Sequence, residues 1–175
     1  MSRPSRRDDE LLLGEWACLG LLAAEPSHGF AVSVRLRPDG DVGRVWSLSR
    51  ALTYRAIERL RANEHITPLG EEPGLAGGNR TILDVTASGR RLLDEWLSTP
   101  VRHLRDLRSE LLLKLTLSEI LGVDASSLVS EQRRVVAEIE TNLRANLVEP
   151  RHDLVTTWRL ESATAASRFL DSMSR

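Results

Sequence analysis

The spacing of apolar residues changes along the chain, and each change marks a predicted element. Leu11, Leu12, Leu13, Trp16, Ala17, Leu19, Gly20 and Leu22 are greasy around most of a helical circumference. This predicts a first helix, begun at Asp8 or Asp9 after a polar, basic segment 1–7, that is buried on more than one side. Glu25-Pro26-Ser27 breaks the pattern and offers Ser27 as N-cap of a second helix reaching about Arg37, with Phe30, Val34 and Leu36 as its packing residues. Pro38-Asp39-Gly40-Asp41 ends it, and a connector containing Trp46 leads to Ser47 or Ser49, either able to cap a third helix from about Arg50 to Asn63.

Beyond Asn63 the pattern becomes extended. Ile66-Thr67-Pro68-Leu69 and Arg80 to Val85 are strand-like around the Gly- and Pro-rich stretch Glu71 to Asn79, which predicts a hairpin. Thr86 caps the next helix, Ala87 to about Leu97, and Pro100 stops or bends it. The remainder reads as helical. Ser109 to Leu121 is dense in leucine, Ser126 to Leu147 repeats apolar residues at Leu128, Val135, Val136, Ile139 and Leu143, and Asp153 to Asp171 repeats them at Leu154, Trp158, Ala165 and Phe169. Three helices, a two-stranded hairpin and a helical extension form the order of a winged helix-turn-helix followed by a helical domain. The expected class is mainly α with a small β-hairpin: a DNA-binding domain over 8–100 and a C-terminal helical dimerisation and effector domain over 101–175.

Charge sharpens this picture. The 175 residues carry 24 basic and 25 acidic side chains, a net charge of −1, so an electrostatic footprint for nucleic acid has to be local. It is found at residues 44–61, where Arg44, Arg50, Arg55, Arg59 and Arg61 stand against one acid, Glu58. With Arg50 set at zero and about 100° per residue, Leu52, Thr53, Ala56, Ile57 and Leu60 fall within roughly 200–340°, and Arg50, Tyr54, Arg55, Arg59 and Arg61 within roughly 0–180°. One face packs, and the other offers arginines and a tyrosine to phosphate oxygens and guanine edges in a major groove. The loop Gly74 to Arg80 is the expected wing tip, with Arg80 approaching phosphate or the minor groove.

Other chemistries find little support. Cys18 is the one cysteine in the chain, and His28, His65, His103 and His152 stand singly, without metal-ligand spacing. The histidines read as structural or solvated. The glycine-rich loop lacks P-loop spacing and its Lys-Ser/Thr ending, and no nucleophile–base pair or cofactor fingerprint is visible, so neither an enzyme nor a cofactor is expected. No apolar run reaches the ~18–20 residues of a membrane span. Asp8, Asp9 and Glu10 stand where a cationic leader would be, so the expected location is the cytoplasm. Trp16, Trp96 and Trp158 could line an aromatic pocket for a small effector, against the plainer reading of core and interface packing.

Five segments, taken in order, resemble the PadR-type transcriptional regulators. They are the leucine-rich first helix; His28-Gly29-Phe30; Trp46-Ser47-Leu48-Ser49 followed by Tyr54-Arg55-Ala56-Ile57-Glu58-Arg59-Leu60; Val85-Thr86-Ala87-Ser88-Gly89-Arg90; and Arg108-Ser109-Glu110-Leu111-Leu112-Leu113-Lys114-Leu115. The resemblance covers most of residues 11–115. It implies a homodimer joined through C-terminal helices, binding to double-stranded promoter DNA, repression of nearby genes, and release by a small molecule or other signal. The chain departs from the family's pattern at Arg50-Ala51-Leu52-Thr53, where Pro-Gly-Ser-Leu is usual, and at Gly77-Gly78-Asn79-Arg80, where Gly-Arg-Pro-Arg is usual. Dimerisation has a separate argument, since two reading helices related by a two-fold axis meet half-sites ~34–36 Å apart. The stripes on 126–147 and 153–171 are the surface assigned to the second copy, against packing within one chain. The rival reading is a helical protein-interaction module whose winged helix no longer meets DNA, motivated by the changed Arg50–Thr53.

Overall fold

The structure, a computed structural model of the chain, describes residues 11–74, 78–145 and 153–173. The expected helix start at Asp8 or Asp9, the segment 1–7, residues 75–77 of the hairpin loop, Leu147 and His152 lie outside the described residues. The chain divides into two compact units, residues 1–93 and 94–175.

In the first unit the elements follow in the order α1 (Leu13–Ala24), α2 (Gly29–Arg35), α3 (Arg50–Ala62), β1 (Ile66–Pro73), β2 (Asn79–Val85) and the start of α4 (Ala87–Ser98). This is a winged helix-turn-helix, and α1 is its spine. Residues 14 to 23 are all buried, Leu19 and Leu22 completely so, which agrees with a helix that is apolar all round. Each such leucine contributes roughly 1.5–3 kcal/mol by leaving water. One buried residue is charged: Glu15 turns back to accept the Leu12 N–H at 2.8 Å and so closes the helix start.

The second helix departs from expectation in two ways. Its N-cap is His28, whose Nδ1 accepts the Ala31 N–H at 3.1 Å. Ser27 is unavailable as a cap because its backbone pairs with Leu83 of β2 in both directions, at 3.0 and 2.9 Å. Packing of this helix runs through Val32, Ser33 and Leu36, while Phe30 and Val34 are exposed, since a helix this short has only about two turns to share between its faces. The connector to α3 is tightly folded. A Cβ on Gly43 would stand 1.7 Å from the Arg37 carbonyl oxygen, Val42 is fully buried, and the Leu48 N–H donates to Leu36 O at 2.9 Å. That fold brings Ser49 to the N-terminus of α3, where its hydroxyl accepts the Leu52 N–H at 3.3 Å.

The two strands pair antiparallel from Ile66 opposite Val85 to Pro73 opposite Asn79, with an irregularity between Pro68 and Gly70. The hairpin therefore includes Glu71 and Glu72, which the composition had placed in the loop; cross-strand backbone bonding outweighs their weak strand preference. Thr86 caps α4 as expected, its hydroxyl accepting the Gly89 N–H at 3.1 Å and donating to Glu64 O at 2.8 Å. Glu64 itself adopts φ of 57° in the sharp turn from α3 into the wing.

The second unit continues with a short helix α5 (Leu104–Asp106), a π-helical turn (Leu107–Leu111), α6 (Leu112–Leu121), α7 (Ser126–Ala145) and α8 (Leu154–Ser172). Gly122 ends α6 at φ of 65°, a left-handed conformation that favours glycine. Its core gathers Val101, Leu111, Leu128, Val129, Val136, Leu143, Ala163 and Leu170. Gln132, fully buried, braces the segment after Pro100 by accepting the Val101 N–H at 2.7 Å and donating to Val101 O at 2.8 Å. Asp153 caps α8 through the Val155 and Thr156 N–H groups. No helix among the described residues is long and apolar enough to cross a membrane.

Candidate nucleic-acid interface

The third helix packs as its periodicity predicts, with one exception. Thr53, Ala56, Ile57 and Leu60 are buried, whereas Leu52, placed by the wheel at the edge of the packed arc, is 48% exposed. Arg50, Tyr54, Arg55 and Arg61 are exposed. The outward side then splits in two.

Arg50, Tyr54, Glu58 and Arg61 line a cleft of about 490 Å³ that also takes in His28, the N-cap of α2, Phe30 from α2 and Arg80 from β2. Phe30 is the floor. The Arg50 guanidinium carbon lies 5.4 Å from its ring centre and 5.7 Å from that of Tyr54, and the Arg80 guanidinium carbon lies 6.0 Å from the Phe30 ring. The His28 ring lies nearly parallel to Phe30 at 6.4 Å. Gly29 permits this closeness, because a Cβ there would meet Tyr54 Cε1 at 3.1 Å and Ile57 Cδ1 at 3.2 Å. Exposed aromatic faces hold the cations in place, and such a surface suits a polyanion.

Arg55 and Arg59 point elsewhere. They border an apolar groove of about 720 Å³ with Leu12, Trp46, Leu48 and Leu52. Arg59 is only half-exposed and its Nη1 lies 3.4 Å from Oε1 of the buried Glu15. The helical wheel put Arg59 with the reading residues; the structure ties it to α1, because a carboxylate buried at the start of α1 draws the nearest cation.

Two residues of the cleft were missed by the sequence reading, His28 and Phe30. Their spacing was visible, but a lone histidine and an apolar residue in a short helix look like packing. Of the three tryptophans, Trp16 is buried within α1, Trp96 lies under the Lys114 ammonium at 4.8 Å, and Trp158 is 73% exposed. Lys114 is itself buried, donating to Thr99 O at 2.5 Å and pairing with Glu110 at 3.0 Å, and burial lowers its pKa from the ordinary lysine value. Trp96 is thus a wall of a satisfied polar cluster. Trp158 borders a groove of about 880 Å³ in the second unit, beside Arg102, Arg105, Arg108 and Arg159. Cys18 is fully buried, and burial, aided by Glu15, pushes its thiol up to about 12, as befits a packing residue. No group of acids, histidines and cysteine among the described residues could hold a metal ion.

A winged helix-turn-helix bearing a cationic, aromatic cleft between its third helix and its wing defines the class of this first unit. The chain is similar to solved structures of Bacillus subtilis PadR. With the structure in complex with operator DNA it shares 20% identity at a TM-score of 0.47, over 91% of this chain and 96% of that one. With PadR alone it shares 21% identity at a TM-score of 0.44, over 96% of each. It is also similar to smu.1604c from Streptococcus mutans UA159, at 18% identity and a TM-score of 0.46, over 93% of this chain and 98% of that one. No family model matches the chain, and neither does any curated protein.

Proposed function

We propose that this protein is a sequence-specific DNA-binding transcriptional regulator, a homodimeric repressor relieved by a small molecule or another signal. One observation carries the reading: Arg50, Tyr54 and Arg61 of α3 and Arg80 of the wing border a single open cleft on the exposed side of a winged helix-turn-helix. In that fold α3 is the element shaped for the major groove, and Arg80 on β2 is placed to follow the backbone beside it. Arg55 is exposed on the same helix but borders the neighbouring groove, so it adds positive charge beside the cleft and not within it. The five ordered segments that resemble PadR-type regulators support the same reading.

Pairing is supported by α8. Leu154, Trp158 and Phe169 are 83%, 73% and 41% exposed, although all are large and apolar. With Leu154 at zero, Trp158, Ala165 and Phe169 fall at about 40°, 20° and 60°, and the buried Ala163 and Leu170 at about 180° and 160°. The exposed side is therefore a stripe some 22 Å long, which a second copy is suited to cover. By contrast the α7 stripe is taken up within the unit, where Leu128, Val136 and Leu143 are core. An effector bound beside Trp158 and its neighbouring arginines would change how two copies meet, and so the spacing of their reading helices.

The test begins with fragments of genomic DNA selected by the purified protein. Binding should fall steeply with salt, and Arg50→Ala or Arg61→Ala should each lower the slope by about 0.9 for every phosphate released. Tyr54→Phe should weaken binding without altering the slope. Binding that is indifferent to salt and to all three substitutions, with a partner protein co-purifying, would favour the interaction module instead.

A further inference from the structure

The contact between His28 and Arg80 is unusual because both groups present hydrogens. A neutral imidazole has one donor and one acceptor nitrogen. Nδ1 of His28 is the acceptor, since it takes the Ala31 N–H at the start of α2. The ring proton therefore sits on Nε2, and Nε2 lies 3.3 Å from Nη1 of Arg80, a guanidinium nitrogen that can only donate. Two donors at that distance do not bond each other. They converge on whatever acceptor lies beside them, and an oxygen of an anion satisfies both.

The surroundings select the kind of anion. Phe30 holds the guanidiniums of Arg50 and Arg80 over one ring, so the positive charges are fixed before anything binds. Arg61 borders the same cleft, and one carboxylate, Glu58, lies among the lining residues. The facing strand carries two acids: Glu71, which already accepts from the Asn79 amide at 2.8 Å, and Glu72, exposed and in register with Arg80. The cleft opens along α3. A bridging oxygen here thus belongs to a ligand that continues past the site along that helix, as a nucleic-acid backbone does.

We propose that His28 Nε2 and Arg80 together grip one backbone phosphate of bound duplex DNA, linking the start of α2 to the wing. The proposal rests on the reading of this face as a DNA interface. It assigns a binding role to a histidine that also caps its own helix, and it makes the wing's grip depend on α2.

Three variants test it on the selected DNA fragments: His28→Asn, Arg80→Gln and the double substitution. Asparagine keeps an N-cap acceptor, so α2 should form and the thermal midpoint should stay in place. Each single variant should bind roughly tenfold more weakly. Arg80→Gln should lower the salt slope by about 0.9, and adding His28→Asn should not lower it further. The double loss should be clearly smaller than the product of the single losses, because one phosphate is shared. Phosphate-ethylation interference should vanish at the same backbone position in both single variants. Independent, multiplicative losses, or interference lost at two different phosphates, would overturn the shared grip while leaving the regulator reading intact. Wild-type protein with no salt-sensitive binding to any fragment would overturn both. Saturable binding of inorganic phosphate at His28 that duplex DNA does not displace would overturn the DNA assignment in favour of a free anion.

Discussion

Replacing Arg59 by alanine separates a packing role from a DNA-contact role. Glu15 is 4% exposed in its side chain, and two donors hold its carboxylate: the Leu12 N–H at 2.8 Å and Arg59 Nη1 at 3.4 Å. At an effective dielectric of ~20, two unit charges at that separation attract by about 5 kcal/mol before solvation is considered. Arg59 is 38% exposed, so water competes for it and much of that attraction is screened. Exposed pairs contribute at most ~1 kcal/mol, and breaking fully buried ones costs about 3–5. A pair with one buried and one half-exposed member lies between them, and Arg59→Ala should cost about 2 kcal/mol. With a slope of ~1–3 kcal/mol per molar urea, the unfolding midpoint should fall by about 1 M. Adding Glu15→Gln should recover most of the loss, because the amide oxygen still accepts the Leu12 N–H and no lone charge remains buried. The salt slope of DNA binding should not move. An unchanged urea midpoint, combined with a slope lowered by about one, would refute the argument and return Arg59 to the reading face.

Gly43→Ala should destabilise the first unit by more than ~3 kcal/mol in chemical denaturation, since its Cβ would stand 1.7 Å from the Arg37 carbonyl oxygen and only a backbone shift can relieve that; a cost under 1 kcal/mol would show the connector to be plastic. In the second unit, Glu140 joins α7 to α8, accepting from Arg144, from Thr164 at 3.0 Å and from Ser167 at 3.2 Å. Chiefly through Arg144, then Thr164, these bonds hold its pKa below the ordinary value of 4.5. Its contribution is complete above pH 4.5 and is lost as pH falls through the lowered value. The stability difference between wild type and Glu140→Gln should therefore shrink on acidification across that window; a difference constant from pH 6 to 3 would show that the carboxylate's charge is irrelevant. Trp158→Asp should convert a dimer to a monomer in sedimentation without changing helical content, and an unaltered sedimentation coefficient would move the interface away from the α8 stripe.

Local signals carried much of the first unit. A cap at Ser47 or Ser49, the cap at Thr86, the all-round apolar α1 and the strand-like runs around a Gly- and Pro-rich loop are properties of neighbouring residues, so they could be read in order along the chain. The same holds for Thr53, Ala56, Ile57 and Leu60, whose burial agrees with the helical period, although the period places Leu52 with them and Leu52 is exposed. Where distant segments compete for one group, the reading failed. Ser27 was a sound cap until Leu83 of β2 claimed its backbone; Arg59, a surface cation by its period, also lies 3.4 Å from the buried Glu15, a neighbour that period cannot show.

Period therefore determined which elements form and which face of each is apolar, because both depend on residues within a turn or two. Tertiary structure alone decided which apolar faces are used: α7's went into the core, while α8's Leu154, Trp158 and Phe169 remained outside. It alone also brought His28, Phe30 and Arg80 to one cleft, 52 residues apart from the first to the last. Charges and hydrogen-bond donors act over a few ångströms of space, whatever the length of chain between them.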